Sequence, residues 1–344
     1  MTTLPFTPAL TLPHETAPVR RIFTCWPSAA DLWEEDLEPA QAEFGDFLNA
    51  LAEPSVRGET LDLVVLAATA QAEASARQAM GRRASVVREA FGDVWARDTG
   101  PVFVRDHGKD LAIRFRFNGW GGKYDLPGDD TVGGAIARIA DAPERHVDLV
   151  AEGGALEFDG DGTLITTRQC LLNPNRNPGL TEAQVEGVLK QTFGVRKVLW
   201  IDEGLVADHT DGHIDNIVRF ARPGVVICQA PSGEDDPQTA VLSSIARQLS
   251  RMTDAKGRRL KVYTIPSPGR VDLGDGEIVP ASHMNWVIGP RNVVVPTYGT
   301  ASAAAAVAAL RPLFPHHTVV GSSARAILSG GGAFHCVTCH QPGV

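Results

Sequence analysis

Hydrophobic and polar positions along this chain follow a recurring order. After a Pro- and Thr-rich opening that reads as irregular to about residue 18, a strand is predicted at 21–26. Residues 35–52 carry an apolar stripe (Leu37, Phe44, Phe47, Leu48, Leu51) that suits one face of a helix. LDLVVLAAT (61–69) reads as a buried strand, QAEASARQAMG (71–81) as a helix ending at glycine, and 86–87 as a short strand. The order then repeats. Strands are predicted at 101–105 and 111–117, where Ile113, Phe115 and Phe117 alternate with Arg114 and Arg116. A helix follows at 130–141 and a strand at 146–150. The next cycle has strands at 155–158 and 163–167 around a DGDG turn, a helix at 181–193 opened by Thr181 with Glu182 in its first turn, and a strand at 196–201. Strands at 214–220 and 224–230, a helix at 237–252 and a strand at 260–265 come next. The last cycle has strands at 284–288 and 292–296, an Ala-rich helix at 301–311, and strands near 318–320 and 325–328. The unit is strand, strand, helix, strand. It recurs in pattern and not in sequence, with no internal linker, so residues 1–344 read as one domain.

Composition narrows the function classes. Hydrophobic residues make up 43% and charged residues 21%, which supports a sizeable core and argues against global disorder. The formal net charge of −9 argues against nucleic acid as a partner, because phosphate binding needs clustered Lys and Arg. Most of that charge reads as an aid to solubility, with a mild pull on cationic small molecules. The opening MTTLPFTPALTLPHE lacks the basic start and apolar run of a targeting segment, and no run approaches the length of a membrane span. Five cysteines in a long chain (Cys25, Cys170, Cys228, Cys336, Cys339) do not form a disulfide framework. A reducing cytoplasm is the expected compartment.

Five polar clusters interrupt the apolar pattern at predicted strand ends and Gly-rich turns: VWARDTGP (94–101), FNGWGG (117–122), AEGGAL (151–156), DHTDGHIDN (208–216) and GGGAFHCVTCHQP (330–342). Four of them offer Asp98, Glu152, His213 with Asp215, and Cys336, at a spacing near one per repeat unit. Repeats closed into a ring would bring the four to a central axis. Cys336 alone would read as a small buried hydrophobe, but three glycines and two histidines flank it. His213 and Asp215, two apart on a predicted strand, would share one face, one moving protons and the other accepting hydrogen bonds from a cation. Arg97 reads as a salt-bridge partner. Asp98 beside Trp95 reads as a wall for a flat cation, and Glu152 is balanced between a turn carboxylate and a functional one. Carboxylates match a planar guanidinium with paired hydrogen bonds, and Trp95 or Trp120 could pack against it.

Together the five clusters resemble the agmatine deiminase family and its Porphyromonas-type peptidylarginine deiminase relatives, which carry W-x-R-D-T-G-P, F-N-x-W-G-G, E-G-G, T-D-G-H-x-D-N and G-G-G-x-x-H-C in that order. LPHETAPVRRIFTCWP (12–27), LLNPNRNPGL (171–180) and NVVVPTYG (292–299) also look like family segments, so the resemblance spans nearly the whole chain. It implies an α/β fold, a five-bladed α/β propeller of the guanidine-modifying superfamily. It implies Cys336 as nucleophile, His213 as general acid and base, Asp98 and Asp215 as guanidinium ligands, and Glu152 as a group that orients His213 or touches substrate. Trp95, Trp120, Asp211 and His209 are expected around the substrate. The implied reaction expels ammonia from a small cationic guanidine, such as agmatine, through a covalent thiouronium, with no metal or organic cofactor; a homodimer is an open expectation. Four departures bear on the substrate's tail. His209 stands where family members commonly carry an acidic residue. PFTPALTLP lacks an Asp found in some members. Thr338-Cys339-His340 replaces T-Q-Q, and the KYDLPGDD loop is short. Arginine or another alkyl guanidine is therefore the alternative substrate.

Two other classes compete. CVTCH (336–340) is formally a c-type haem attachment sequence, which would make this an electron carrier. Zinc could be held by His209 and His213 with the nearby aspartates, or by His335, Cys336, Cys339 and His340. Gly212 and the β-like residues after it argue against the helix that the first zinc set needs.

Overall fold

Each predicted helix from 35–52 to 301–311 carries its apolar face against a neighbouring pair of strands. A computed structural model describes residues 10–274 and 276–343. Residues 1–9, which hold most of PFTPALTLP, lie outside them. Five separate small sheets form an α/β propeller. In four of them an antiparallel hairpin is followed by a helix that returns the chain to a parallel third strand. Val102–Asp106 and Lys109–Arg116 pair antiparallel, and the helix Val132–Ile139 leads to Glu144–Val150 beside them. The same order holds for Glu157–Phe158, Thr163–Thr167 and Lys197–Ile201, for Val218–Arg222, Val225–Ala230 and Lys261–Pro266, and for Val287–Ile288, Asn292–Thr297 and Thr318–Ser323. This is the strand, strand, helix, strand unit read from the hydrophobic pattern.

The fifth sheet closes the ring. Thr338–Pro342 pairs antiparallel with Val19–Cys25, with Cys339 opposite Phe23, and Val19–Cys25 continues parallel to Asp62–Ala67 and then Ser85–Arg88. The helix Leu37–Leu51 fixes the approach to this closing strand. Its predicted stripe buries Phe44, Phe47, Leu48 and Leu51 completely, and Pro39 is tolerated in its first turn. Phe47 stacks on Phe334 with centroids 4.2 Å apart and planes 1° from parallel. That contact anchors the residues just before Cys336.

Two predicted strands differ. The strand expected at 214–220 starts only at Val218, because Ile214–Asn216 form a 3-10 turn. The strand expected near 325–328 is the helix Arg325–Ser329. Its first backbone N–H groups are captured from afar: the Glu43 carboxylate accepts from Arg325 N at 3.0 Å, Ala326 N at 2.8 Å and Ile327 N at 3.1 Å. No helix among the described residues is long and apolar enough to cross a membrane.

Candidate active site

Each of the five sheets is entered through a loop that carries one or two polar side chains a few residues before the first strand. Asp98 precedes Val102–Asp106, Glu152 precedes Glu157–Phe158, and His213 with Asp215 precedes Val218–Arg222. Asn285 precedes Val287–Ile288, and Cys336 precedes Thr338–Pro342. The ring turns this regular sequence position into one shared place.

The loops lock onto one another through backbone. Asp98 lies in the short helix Ala96–Thr99, and Arg97 N donates to Cys336 O at 3.0 Å, tying the Asp98 loop to the cysteine's own peptide. In FNGWGG the chain takes left-handed φ angles from Gly119 through Gly122, including Trp120 at 54°. That costs a non-glycine residue about 1 kcal/mol, and its indole compensates. Trp120 Nε1 donates to Asp98 Oδ2 at 3.0 Å, and the ring meets Phe117 and Tyr124 edge-on at 4.9 and 5.8 Å. Gly154 N donates to Asp98's other oxygen at 3.0 Å. A Cβ at Gly154 would lie 2.5 Å from His213 Nδ1, 2.8 Å from Asp98 Oδ1 and 3.2 Å from Asp215 Oδ2, so three functional groups converge on this one missing side chain.

His213 and Asp215 reach the same point by a route other than the shared strand face that was expected. Asp211 and Gly212 adopt φ of 63° and 88°, Thr210 Oγ1 accepts from His213 N at 3.1 Å, and the 3-10 turn swings Asp215 round. The imidazole is wholly buried, with Nδ1 3.6 Å from Asp98 Oδ1 and Nε2 3.5 Å from Glu152 Oε2. Glu152 is fixed from behind by Arg176 Nε at 2.7 Å. Asp215 Oδ2 accepts from His335 Nδ1 at 2.7 Å, with Cys336 Sγ at 3.9 Å. Asn285 spends its amide on the cysteine loop: Oδ1 accepts from His335 N at 2.8 Å and Cys336 N at 3.2 Å, while Nδ2 donates to Asn216 Oδ1 at 2.9 Å and to Cys336 Sγ at 3.2 Å.

The electrostatics follow from this crowding. Burial, with Asp215 and Asp98 adding to it, pushes the Cys336 thiol well above the ordinary range. Burial lowers the affinity of His213 for a proton, but the Asp98 charge, Cys170 and Glu152 outweigh it and hold the imidazolium well above its usual pKa. Burial raises Asp98 to about 6 against the pull of His213. Burial also acts on Glu152 and Asp215, yet both stay below the usual carboxylate range, Glu152 through His213 and Arg176, Asp215 through His335 and His213. The site has the charges of a cation receptor: carboxylates around a neutral thiol.

A cavity of about 190 Å³ opens onto Cys336 and Asp98, walled by Trp33, Trp95, Trp120, Tyr124 and the glycines 330–332, with His209 also in its lining. Trp33 and Trp95 stack at 6.3 Å and both donate to Asp93, at 3.0 and 2.8 Å. His209 Nδ1 is paired with Tyr124 Oη at 3.0 Å. The Asp211 carboxylate is taken up by Lys123 at 2.7 Å and Arg176 at 2.9 Å. Neither of the two rival zinc sets assembles among the described residues: 209–213 is a turn, and the one group of three close metal-donor side chains there is Glu152, Cys170 and His213. CVTCH presents no exposed thiol pair to a porphyrin, since Cys336 and Cys339 are 4% and 2% exposed and Cys339 Sγ donates to Pro101 O.

Comparison with known proteins agrees with this geometry. Residues 11–342 match the model of the Porphyromonas-type peptidyl-arginine deiminase family. An agmatine deiminase of Stutzerimonas stutzeri is 37% identical over 370 residues, covering 99% of each chain. One of Pseudomonas aeruginosa is 35% identical over 367 residues, covering 99% of this chain and 98% of that protein. The chain belongs to this deiminase family. The solved structure of the agmatine deiminase of Enterococcus faecalis superposes with a TM-score of 0.91 at 30% identity, covering 97% of this chain and 96% of that one.

Within this deiminase several site residues lie outside the motifs read as chemistry. Asn285 was hidden in a predicted strand, where its only signal was an amide among apolar neighbours (SHMNW). Glu15 and Arg176 stood in LPHETAPVRR and LLNPNRNPGL with nothing to assign them a role. Arg176 holds Glu152, and Glu15 belongs to a buried charge chain behind Asp215. His335 Nε2 meets Glu15 Oε1 at 2.8 Å, Glu15 pairs with Arg219 and with Arg97 at 3.4 Å, and Arg219 reaches Glu157 at 3.0 Å.

Two expectations follow. Asp98 must be ionised to bind a cation, and its folded pKa is raised, so competence is present above about 6 and is lost as pH falls through that value. Trp120→Phe removes the indole N–H that favours the carboxylate form, so the acid limb of kcat/KM moves to higher pH with roughly a ten-fold loss near pH 6. An unmoved limb would show that Asp98 does not control it. Cys339→Ser keeps turnover within about three-fold of the parent, because burial holds that thiol neutral, up to about 12, and it faces Pro101 O and not the cavity. Loss of turnover in a folded Cys339→Ser protein would contradict this.

Proposed function

We propose that this enzyme hydrolyses the guanidinium of agmatine to N-carbamoylputrescine and ammonia, with Cys336 as nucleophile and His213 as proton carrier. The observation that carries this reading is the convergence of Asp98, Asp215 and His213 around Gly154 beside the Cys336 sulfur, at the floor of an aromatic cavity. Asp98 and Asp215 take the guanidinium nitrogens, and Trp95 lies along the wall. The arriving cation offsets the two carboxylates that hold the thiol neutral, so the thiol proton passes to bulk water through the open cavity as substrate binds, and the thiolate forms against the Asn285 amide. Sulfur attacks the guanidinium carbon, forming the C–S bond. The C–N bond breaks as His213 gives its proton to the departing ammonia. The neutral imidazole takes a proton from the attacking water as the new C–O bond forms; the C–S bond then breaks and the hydroxyl proton passes to the departing sulfur, which releases the neutral ureido product and restores the resting thiol. Glu152, held by Arg176, orients His213 through both halves. The five free, buried cysteines fit a reducing compartment such as cytoplasm.

A second reading, an alkyl guanidine with an uncharged tail, is favoured by the cavity's distal wall. His209 and Tyr124 stand there, Asp211 is already paired, and Asp93 accepts two indole N–H groups. A panel of agmatine, arginine and uncharged alkyl guanidines, read for ureido product and ammonia together, tests both. The expected result is equimolar release of both from agmatine. Turnover confined to uncharged guanidines selects the second reading, and folded protein inert on the whole panel overturns both.

A further inference from the structure

A second thiol sits behind the catalytic imidazole. Cys170 lies in the short helix Arg168–Leu171, whose N-cap Thr167 accepts from Cys170 N at 3.2 Å. Its Sγ is 3.8 Å from Glu152 Oε2, the same oxygen that faces His213 Nε2 at 3.5 Å, and the three donor atoms all lie within 4.8 Å of one another. Cys170, Glu152 and His213 are each 0% exposed. Arg176 occupies Glu152 Oε1, so Oε2 is left turned toward the other two. Among the described residues neither ring nitrogen of His213 has a hydrogen-bond partner, an uncommon condition for a buried imidazole.

We infer that Glu152, Cys170 and His213 form an inhibitory site for a thiophilic divalent cation of the zinc type. Zinc bonds of about 2.3 Å to sulfur and about 2.0 Å to nitrogen and oxygen give tetrahedral edges of roughly 3.3–3.6 Å. The observed edges at Glu152 Oε2 are 3.5 and 3.8 Å, so small side-chain shifts bring these donors onto three tetrahedral positions, with a water to take the fourth. A thiolate, a carboxylate and a neutral imidazole balance a 2+ charge, and the sulfur selects zinc or cobalt over magnesium or calcium. Binding releases the Cys170 thiol proton and any proton on His213 Nε2, so it tightens as pH rises. Once Nε2 is on the metal, Nδ1, which faces Asp98, is held as N–H. The ring can then no longer take a proton from water. The site is separate from the Cys336 sulfur, which lies on the Asp215 and Asn285 side.

The inhibition rests on the proposed role of His213, but the binding does not, so it is read by spectroscopy. Metal-free full-length protein is titrated with Co2+ as parent, Cys336→Ser and Cys170→Ser. The expected result is a thiolate-to-cobalt charge-transfer band at one equivalent in the parent and Cys336→Ser, lost in Cys170→Ser and displaced by Zn2+. In parallel, Zn2+ inhibition of the parent is reversed by chelator, and Cys170→Ser is at least ~10-fold less sensitive relative to its own metal-free rate. A band lost in Cys336→Ser and kept in Cys170→Ser overturns the assignment, as does the absence of any thiolate band. Should Cys170→Ser fail to fold, X-ray absorption on zinc-loaded Cys336→Ser decides: one sulfur with nitrogen and oxygen ligands supports the site, and a shell without sulfur overturns it. Inert protein that still gives the band refutes the deiminase reading alone.

Discussion

Replacing Cys336 with alanine is expected to remove ureido formation by roughly 10⁴-fold or more while the fold survives. Among the described residues that line the cavity Cys336 is the one thiol, and in the proposed mechanism the aspartates and histidine around it hold or protonate but do not attack. Truncation to alanine leaves Asn285 Nδ2 with one partner, Asn216, and leaves both Asn285 Oδ1 contacts on the loop backbone in place. Phe334 remains stacked on Phe47. The Cys336→Ala protein therefore keeps its circular dichroism and still binds agmatine by calorimetry, because Asp98 and Asp215 are untouched. Turnover by this variant comparable with the parent's would remove the thiol from the mechanism.

Gly154→Ala is the second large effect, and it touches no reacting atom. The φ of Gly154 is not in the left-handed region, so alanine meets no backbone penalty there; all the cost is crowding. Its methyl would press on His213, Asp98 and Asp215 together at distances no real Cβ tolerates toward the nearest two. Displacements approaching 1 Å of proton carrier and cation ligands cost about 10²-fold in turnover. Overpacking of this kind also lowers stability by about 1–3 kcal/mol. The measurement is kcat together with a thermal melt, with Gly187→Ala, which meets open space, as the control. A folded Gly154→Ala enzyme at full activity would show slack among the three groups and deny that they act as one receptor.

Much of this architecture could be read from periodicity, because each blade buries a helix stripe and a hairpin whose patterns are local. What could not be read was set by partners distant in sequence. AILS at 326–329 is too short to tell helix from strand by period, and its helix is fixed by the Glu43 carboxylate from another element. Ile214 stands in phase with Val218 and Phe220 as in a strand, yet Ile214–Asn216 form a 3-10 turn after the left-handed Asp211 and Gly212. The polar run Thr338–Pro342 gives no hydrophobic signal, and it becomes a strand only because Val19–Cys25 offers an open edge. The candidate site divides in the same way. The residues in Gly-rich clusters stood out by composition. Asn285, Arg176 and Glu15, which hold those clusters in place, resembled ordinary strand and loop residues until the ring brought them together.

The pairing of Thr338–Pro342 with Val19–Cys25 joins segments from opposite ends of the described chain, with the sulfur two residues upstream of that seam. Contacts of such long sequence separation form slowly, since their loop-closure entropy must be met before they return any stabilisation. With that pairing unmade, Cys336 has no strand to hold it beside Asp98 and Asp215. Catalytic competence therefore depends on the circle being shut.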